Sequence, residues 1–156
     1  MPRQRLPHAL LGSPDDIERQ FYDALQSADV DKLMAVWSDD DEIVCVHPGG
    51  ARLTGQDEVR ESWARLFAAG PHARVTIEHQ VAISGMMLAV HSVFEHFTLP
   101  AERGAERRAE QPVPIIATNV YLRTAAGWRM IVHHASPAPG QPAPAAPRDA
   151  PPKMLH

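Results

Sequence analysis

The stretch Ile43–Gly55, IVCVHPGGARLTG, starts as a buried strand and stops abruptly. Ile43 to Val46 are all apolar. Pro48 cannot donate to a β-ladder, and Gly49 and Gly50 supply a turn. His47 therefore occupies the last strand position, an ionisable imidazole directly before a proline. It is either the first solvated residue of a loop, holding the turn through a backbone hydrogen bond, or a side chain that faces a pocket. Beyond the turn, Val59, Trp63, Leu66 and Phe67 recur at i, i+4, i+7 and i+8. That spacing predicts an amphipathic helix over about Gln56 to Ala69, ended by Gly70 and Pro71.

Working outward, the segment before this unit reads as two more helices. Ser13 is an N-cap, Pro14 sits at the first helical position, and Asp15 and Asp16 oppose the positive end of the helix dipole. Ile17, Phe21 and Leu25 fall four apart and form one apolar stripe. Asp29 caps a short second helix whose apolar side is Leu33, Met34, Val36 and Trp37. The acidic run Asp39–Glu42 reads as a solvated face, because consecutive acids on a loop do not converge on one point.

After Pro71 the period changes from 3.6 to 2. Val75, Ile77, His79, Val81 and Ile83 alternate with other residues, and Ser84–Gly85 signals a hairpin. Return strands are predicted over Met86 to about Thr98, over VPIIATNVYLRT and over WRMIVHHAS, with a charged, proline-bounded loop between the first two. Helices followed by a mostly antiparallel sheet give an α+β class, with three N-terminal helices packed on one face of a curved sheet. The domain is expected over 13–136, with 1–12 as a loose N-terminal arm. From Ser136 the chain reads SPAPGQPAPAAPRDAPPKMLH, so 137–156 is expected to be a disordered Pro/Ala-rich tail.

The totals narrow the function. The chain has 156 residues, 44% hydrophobic and 22% charged, enough for one domain with a real core. A net charge of −4 argues against nucleic acid or an anionic membrane as partner. No segment approaches the roughly 20 apolar residues of a membrane span, and the N-terminus lacks the apolar stretch of a signal peptide. The single cysteine, Cys45, cannot form an internal disulfide and reads as a small buried hydrophobe, consistent with a reducing, cytoplasmic setting. No nucleophile elbow, phosphate-binding glycine loop or zinc-ligand spacing is present.

Four pieces, FYDALQSADVDKLMAVWSDD, HPGGARLTGQDEVRESW, ATNVYLRTAAGWRM and HHAS, occur in an order that resembles the nuclear transport factor 2-like superfamily, which includes ketosteroid isomerases and SnoaL-like polyketide cyclases. The resemblance implies a cone-shaped cystatin-like sheet with an apolar pocket in its mouth. It also implies a homodimer formed through the outer sheet face. In ketosteroid isomerases a carboxylate base ends the first strand before a proline; His47 holds that place here. An acidic oxyanion donor on the third long strand falls on Asn119, and a donor tyrosine on the first helix falls on Phe21, with Tyr22 turned about 100° away. All three groups differ from the steroid-isomerase set, so the substrate is not expected to be a steroid.

The resemblance leaves two functions. One is a cofactor-free isomerase, cyclase or dehydratase that moves a proton on a small apolar carbonyl compound. His47 would be its base and Asn119 would hold the enolate oxygen. The other is a non-catalytic ligand-binding or dimeric interaction module. Phe21, Trp37 and Trp63 are expected to wall the pocket, although core packing is the alternative for each. Asn119 either meets a ligand or bonds His47 or a neighbouring strand. His91, Glu95 and His134 are the remaining candidates for the pocket. His134 shares strand parity with Trp128, Met130 and Val132, and the adjacent His133 should point the other way. Three imidazoles, His47, His91 and His134, could in principle converge on a metal, but no ligand-spacing motif supports this and none is assigned.

Overall fold

A computed structural model describes residues 12–70, 72–98 and 113–139. All but Gly12 of the expected arm, the charged 99–112 loop and most of the expected tail lie outside these residues. Helices α1 (Pro14–Ser27) and α2 (Val30–Ala35) come first, then strands β1 (Val44–Val46) and β2 (Arg52–Thr54), then helix α3 (Gln56–Ala69). Strands β3 (Arg74–Ser84), β4 (Leu88–Thr98), β5 (Val113–Thr124) and β6 (Gly127–Pro137) complete the chain. One curved six-stranded sheet results, in the order β2-β1-β6-β5-β4-β3. Every pairing is antiparallel except β1 with β6. The fold is α+β, as the change of period predicts. No described helix is long and apolar enough to cross a membrane.

The helix ends follow from local chemistry. Ser13 and Asp16 form a reciprocal capping box, with Ser13 N–H donating to Asp16 Oδ2 (3.0 Å) and Asp16 N–H to Ser13 Oγ (3.3 Å). Ala28 ends α1 in the left-handed region at φ 53°, and Asp29 accepts from the Lys32 N–H to start α2. These caps fix where α1 begins, and so which of its residues face the sheet. Ile17, Phe21 and Ala24 are buried in the core, and so are the polar Glu18 and Tyr22, four apart on an adjoining stripe.

Two β-bulges redirect side chains that strict alternation would place elsewhere. Gln80 is an extra residue between His79, opposite Val93, and Val81, opposite Ser92. Val75, Ile77 and His79 turn toward the helices, whereas Val81 and Ile83 are turned outward and exposed. Ile131 is the second extra residue: Tyr121 pairs with Met130, yet Val120 pairs with Val132. Parity therefore reverses along β6, and Met130 and His133 share the inner face. Two smaller differences come from turn chemistry. The short β2 follows the Pro-Gly-Gly turn and pairs back onto β1. The β3–β4 turn falls on Met86–Met87, because Gly85 N–H donates to Leu88 O at 2.8 Å. A Cβ on Gly85 would stand 2.8 Å from that carbonyl oxygen, so the close approach requires glycine.

Candidate functional site

Register places four polar or polarisable residues in one row across the inner face. Cys45 on β1 pairs with His133 on β6, His133 with Asn119 on β5, and Asn119 with His91 on β4. Helix α1 crosses this row with Glu18 and Tyr22. Burying such groups is costly unless each is hydrogen-bonded, and the structure bonds them to one another.

One chain of bonds runs Glu95–Tyr22–Asn119–His133. Tyr22 O–H donates to Glu95 Oε2 at 2.6 Å, Asn119 Nδ2 donates to Tyr22 O at 2.8 Å, and His133 Nδ1 meets Asn119 Oδ1 at 2.7 Å. Burial first, then the charge of Glu95, hold the Tyr22 phenol well above its ordinary value of 10, so it keeps its proton and donates it. Tyr22 oxygen must then accept from the Asn119 amide, which turns the Asn119 carbonyl toward His133. A carbonyl only accepts, so His133 carries its hydrogen on Nδ1 and Nε2 is the lone-pair nitrogen. Burial lowers the His133 pKa to about 3, helped by His47 and His134, and keeps the ring neutral.

His133 and Glu95 line an apolar cavity of about 370 Å³ together with His47, Trp63, Leu66 and Phe67. That volume is within the range of small-molecule sites. Burial raises the Glu95 carboxyl from 4.5 to about 7, with the Tyr22 hydrogen bond opposing the shift. Glu95 therefore holds or releases a proton near neutral pH. Burial shifts His47 the opposite way, below 6.5. Ser62 Oγ donates its one hydrogen to Val59 O at 3.0 Å, so it accepts from His47 Nε2 at 3.0 Å. The lone pair of His47 is thus on Nδ1. Its ring stands edge-on to Trp63, centroids 4.6 Å apart.

The sequence candidates divide. His47, Trp63 and Glu95 line the cavity. Asn119 is fully buried one layer back and supports His133 instead of facing His47. Phe21 and Trp37 are core residues; Phe21 packs on Trp63 (5.7 Å) and His133 (5.0 Å) from behind. His134 is exposed on the outer face, because the Ile131 bulge exchanges it with His133. His91 lies on the other side of α1, bonded to Glu18, so His47, His91 and His134 do not converge. Sequence reading passed over Tyr22, which supplies the α1 hydroxyl expected of its neighbour Phe21. The signal for it was the i, i+4 pair of Glu18 and Tyr22 on an otherwise apolar helix face. His133 had no such signal, since only the bulge turns it inward.

The fold and this pocket define a domain of the SnoaL-like class. The SnoaL-like domain family matches residues 15–140, and the chain belongs to it, within the nuclear transport factor 2-like superfamily. Among solved structures, a candidate calcium/calmodulin-dependent protein kinase type II association domain from Thiobacillus denitrificans is 36% identical, with a TM-score of 0.73 over 82% of this chain and 97% of that one. A candidate dehydratase of the nuclear transport factor 2-like family from Streptomyces avermitilis is 24% identical, with a TM-score of 0.69 over 86% of this chain and 100% of that one. A ketosteroid isomerase-like protein from Erwinia carotovora atroseptica is 17% identical, with a TM-score of 0.62 over 81% and 95%. No curated protein matches the chain.

Proposed function

We propose that the chain is a small-molecule pocket protein that moves a proton on an apolar carbonyl compound without a cofactor. The observation that carries this reading is the Glu95 carboxyl, pushed to about 7 on the wall of an apolar cavity that also holds a neutral His47. Groups whose environments push their pKa values apart provide an acid and a base at one pH. In this reading His47 Nδ1 takes a proton from the carbon next to the carbonyl while protonated Glu95 gives its proton to the carbonyl oxygen. An enol forms, His47 is left as imidazolium and Glu95 as carboxylate. Return of a proton from His47 to a different carbon, and of the enol proton to Glu95, completes an isomerisation with no net change in the protein. Tyr22 and Asn119 act from behind, holding Glu95 and His133. The test is a screen of enones and β-keto compounds with the wild type, His47→Ala and Glu95→Gln. Each variant should lose at least about 10²-fold in rate, the usual worth of a general acid or base. Equal rates in the variants would remove this mechanism.

A second reading is an assembly module formed from copies of this chain. Beyond the Gln80 bulge, Val81, Ile83, Met86, Met87 and Leu88 are exposed, with Met86 at 84%. They form a contiguous apolar end of the sheet of the kind that marks interaction surfaces. The 36%-identical Thiobacillus relative, named as an association domain, supports this use. Sedimentation of the wild type against Ile83→Glu tests it: a dimer or larger assembly that dissociates in the variant supports the module, and a wild-type monomer removes it. The two readings are compatible, because the surface and the cavity are formed by different residues.

A further inference from the structure

A second polar cluster lies across α1 from the cavity. Glu18 on α1, buried at 4% exposure, gathers three donors. Its Oε2 accepts from Tyr121 O–H at 2.9 Å and from His91 Nδ1 at 2.7 Å, and its Oε1 meets His79 Nε2. His91 is itself buried, and its other nitrogen, Nε2, lies 3.8 Å from Asp15 Oδ1. Nδ1 points at Glu18, so Nε2 is the ring nitrogen on the Asp15 side, and a cation between Nε2 and Asp15 Oδ1 meets one donor atom from each.

The third donor is on β3. The His79 ring lies 5.4 Å from the His91 ring at 84° to it. One ligand atom from each of Asp15, His79 and His91 lies within 4.8 Å of the others. Ligands on a tetrahedral ion at about 2.1 Å are roughly 3.4 Å apart, so closure needs a movement of only about an ångström. Asp15, 78% exposed at its side chain, can make that movement, while His79 and buried His91 are both held by Glu18. The three ligands come from α1, β3 and β4, and an adjoining pocket of about 380 Å³ leaves room for a further ligand.

We propose that Asp15, His79 and His91 bind a divalent transition-metal ion, with Glu18 orienting His91 from behind. Two imidazoles and one carboxylate favour zinc, cobalt or ferrous iron over calcium or magnesium, which prefer all-oxygen sites. A carboxylate behind the ligating histidine, fixing its tautomer through the far nitrogen, is the usual support for such a ligand. This site is separate from the cavity of Glu95 and His47, and its existence does not depend on their chemistry.

The test uses the full chain, stripped with chelator and titrated calorimetrically with zinc chloride, with cobalt absorption as a second readout. The expected result is one ion per chain at micromolar affinity or tighter, and visible cobalt bands of a low-symmetry nitrogen–oxygen site. Asp15→Ala and His79→Ala should each weaken zinc binding at least 10-fold. Both side chains are exposed, but His79 also bonds buried Glu18, so the unfolding free energy of His79→Ala is measured beside its zinc affinity. Asp23→Ala, in the same pocket but outside the ligand set, should bind as the wild type does. Absence of stoichiometric binding, or wild-type affinity in the Asp15 and His79 variants, would overturn the proposal.

Discussion

Glu18 and Glu95 are the same residue type, both nearly fully buried, under opposite flanks of one helix. Glu18 is surrounded by donors: the Tyr121 hydroxyl and the His79 and His91 imidazoles. Glu95 has the Tyr22 hydroxyl alone among the described residues and borders an apolar cavity, and its carboxyl is pushed to about 7. The comparison teaches that burial alone does not assign a role to a carboxyl group. The number of donors aimed at it decides whether it ties the structure together or is left able to exchange a proton. One helix turn, Glu18 to Tyr22, supplies both arrangements, because Tyr22 turns its hydroxyl away from the Glu18 cluster and toward Glu95.

The largest effect should come from the donor-rich side. Glu18→Ala strands Tyr121 O–H and His91 Nδ1–H in a buried site, and each unpaired group costs about 1–3 kcal/mol. Urea unfolding at neutral pH should show a loss of about 3–5 kcal/mol. A loss below about 1 kcal/mol would mean that the Glu18 cluster is not a structural tie, and the contrast with Glu95 would fail.

The Glu95 side should respond with the opposite sign. A carboxyl raised from 4.5 to about 7 binds its proton more tightly in the folded chain. Its stabilising contribution is complete below about pH 4.5 and is lost as pH rises to about 7, some 3 kcal/mol in all. Glu95→Gln removes that loss, so the variant should be more stable than the wild type at pH 8, by up to about 3 kcal/mol, with the advantage gone at pH 4.5. His133 adds a second sign. Its pKa is depressed from 6.5 to about 3, so its contribution is present above pH 6.5 and falls away with acid. Between pH 4.5 and 6.5 the two slopes oppose each other in the wild type. In Glu95→Gln the His133 slope stands uncovered, about 1.4 kcal/mol per pH unit. Unfolding free energies at half-unit steps of pH would show this, and parallel curves for the two proteins would contradict the raised Glu95 pKa.

How much of this was legible in the sequence depends on how local the cause is. Ser13, Pro14 and Asp16 fix the start of α1 by contacts within one turn, and Val59 and Trp63 mark the buried face of α3 by spacing alone. The strand, the proline and the helix around His47 are neighbours in the chain, yet they left a loop place and a pocket place both open, and the family resemblance favoured the pocket. For Glu95 the parity allowed an inward place and left a solvated one open; β4 has no bulge in its pairing with β5, and Glu95 is buried. Along β6, the pairing of Val120 with Val132 and Tyr121 with Met130 is a long-range property, and it changes which of His133 and His134 turns inward. Asn119 shows the same limit differently. Its strand and its burial could be read, but its place behind His133 depends on how α1 lies across the sheet. The Glu18–His79–His91 cluster needs the same crossing, because Glu18 comes from α1, and no spacing along the chain encodes it.

The smallest expected effect tests the bond that joins the two flanks. Tyr22→Phe removes the only donor to Glu95 among the described residues and also the acceptor for Asn119 Nδ2. The hydrogen bond from Tyr22 lowers the Glu95 pKa, so without it the carboxyl should rise above about 7. Carbon-13 titration of labelled glutamate carboxyls would follow this shift directly. The stability cost is set by one lost donor and one stranded amide, about 1–2 kcal/mol. The Glu18 cluster shares no hydrogen bond with Tyr22, so zinc affinity at Asp15, His79 and His91 should stay within about twofold of the wild type. If Tyr22→Phe instead left Glu95 in place and weakened the metal site, the hydroxyl would belong to the Glu18 side. The separation of the two carboxyl environments by one helix turn would then be wrong.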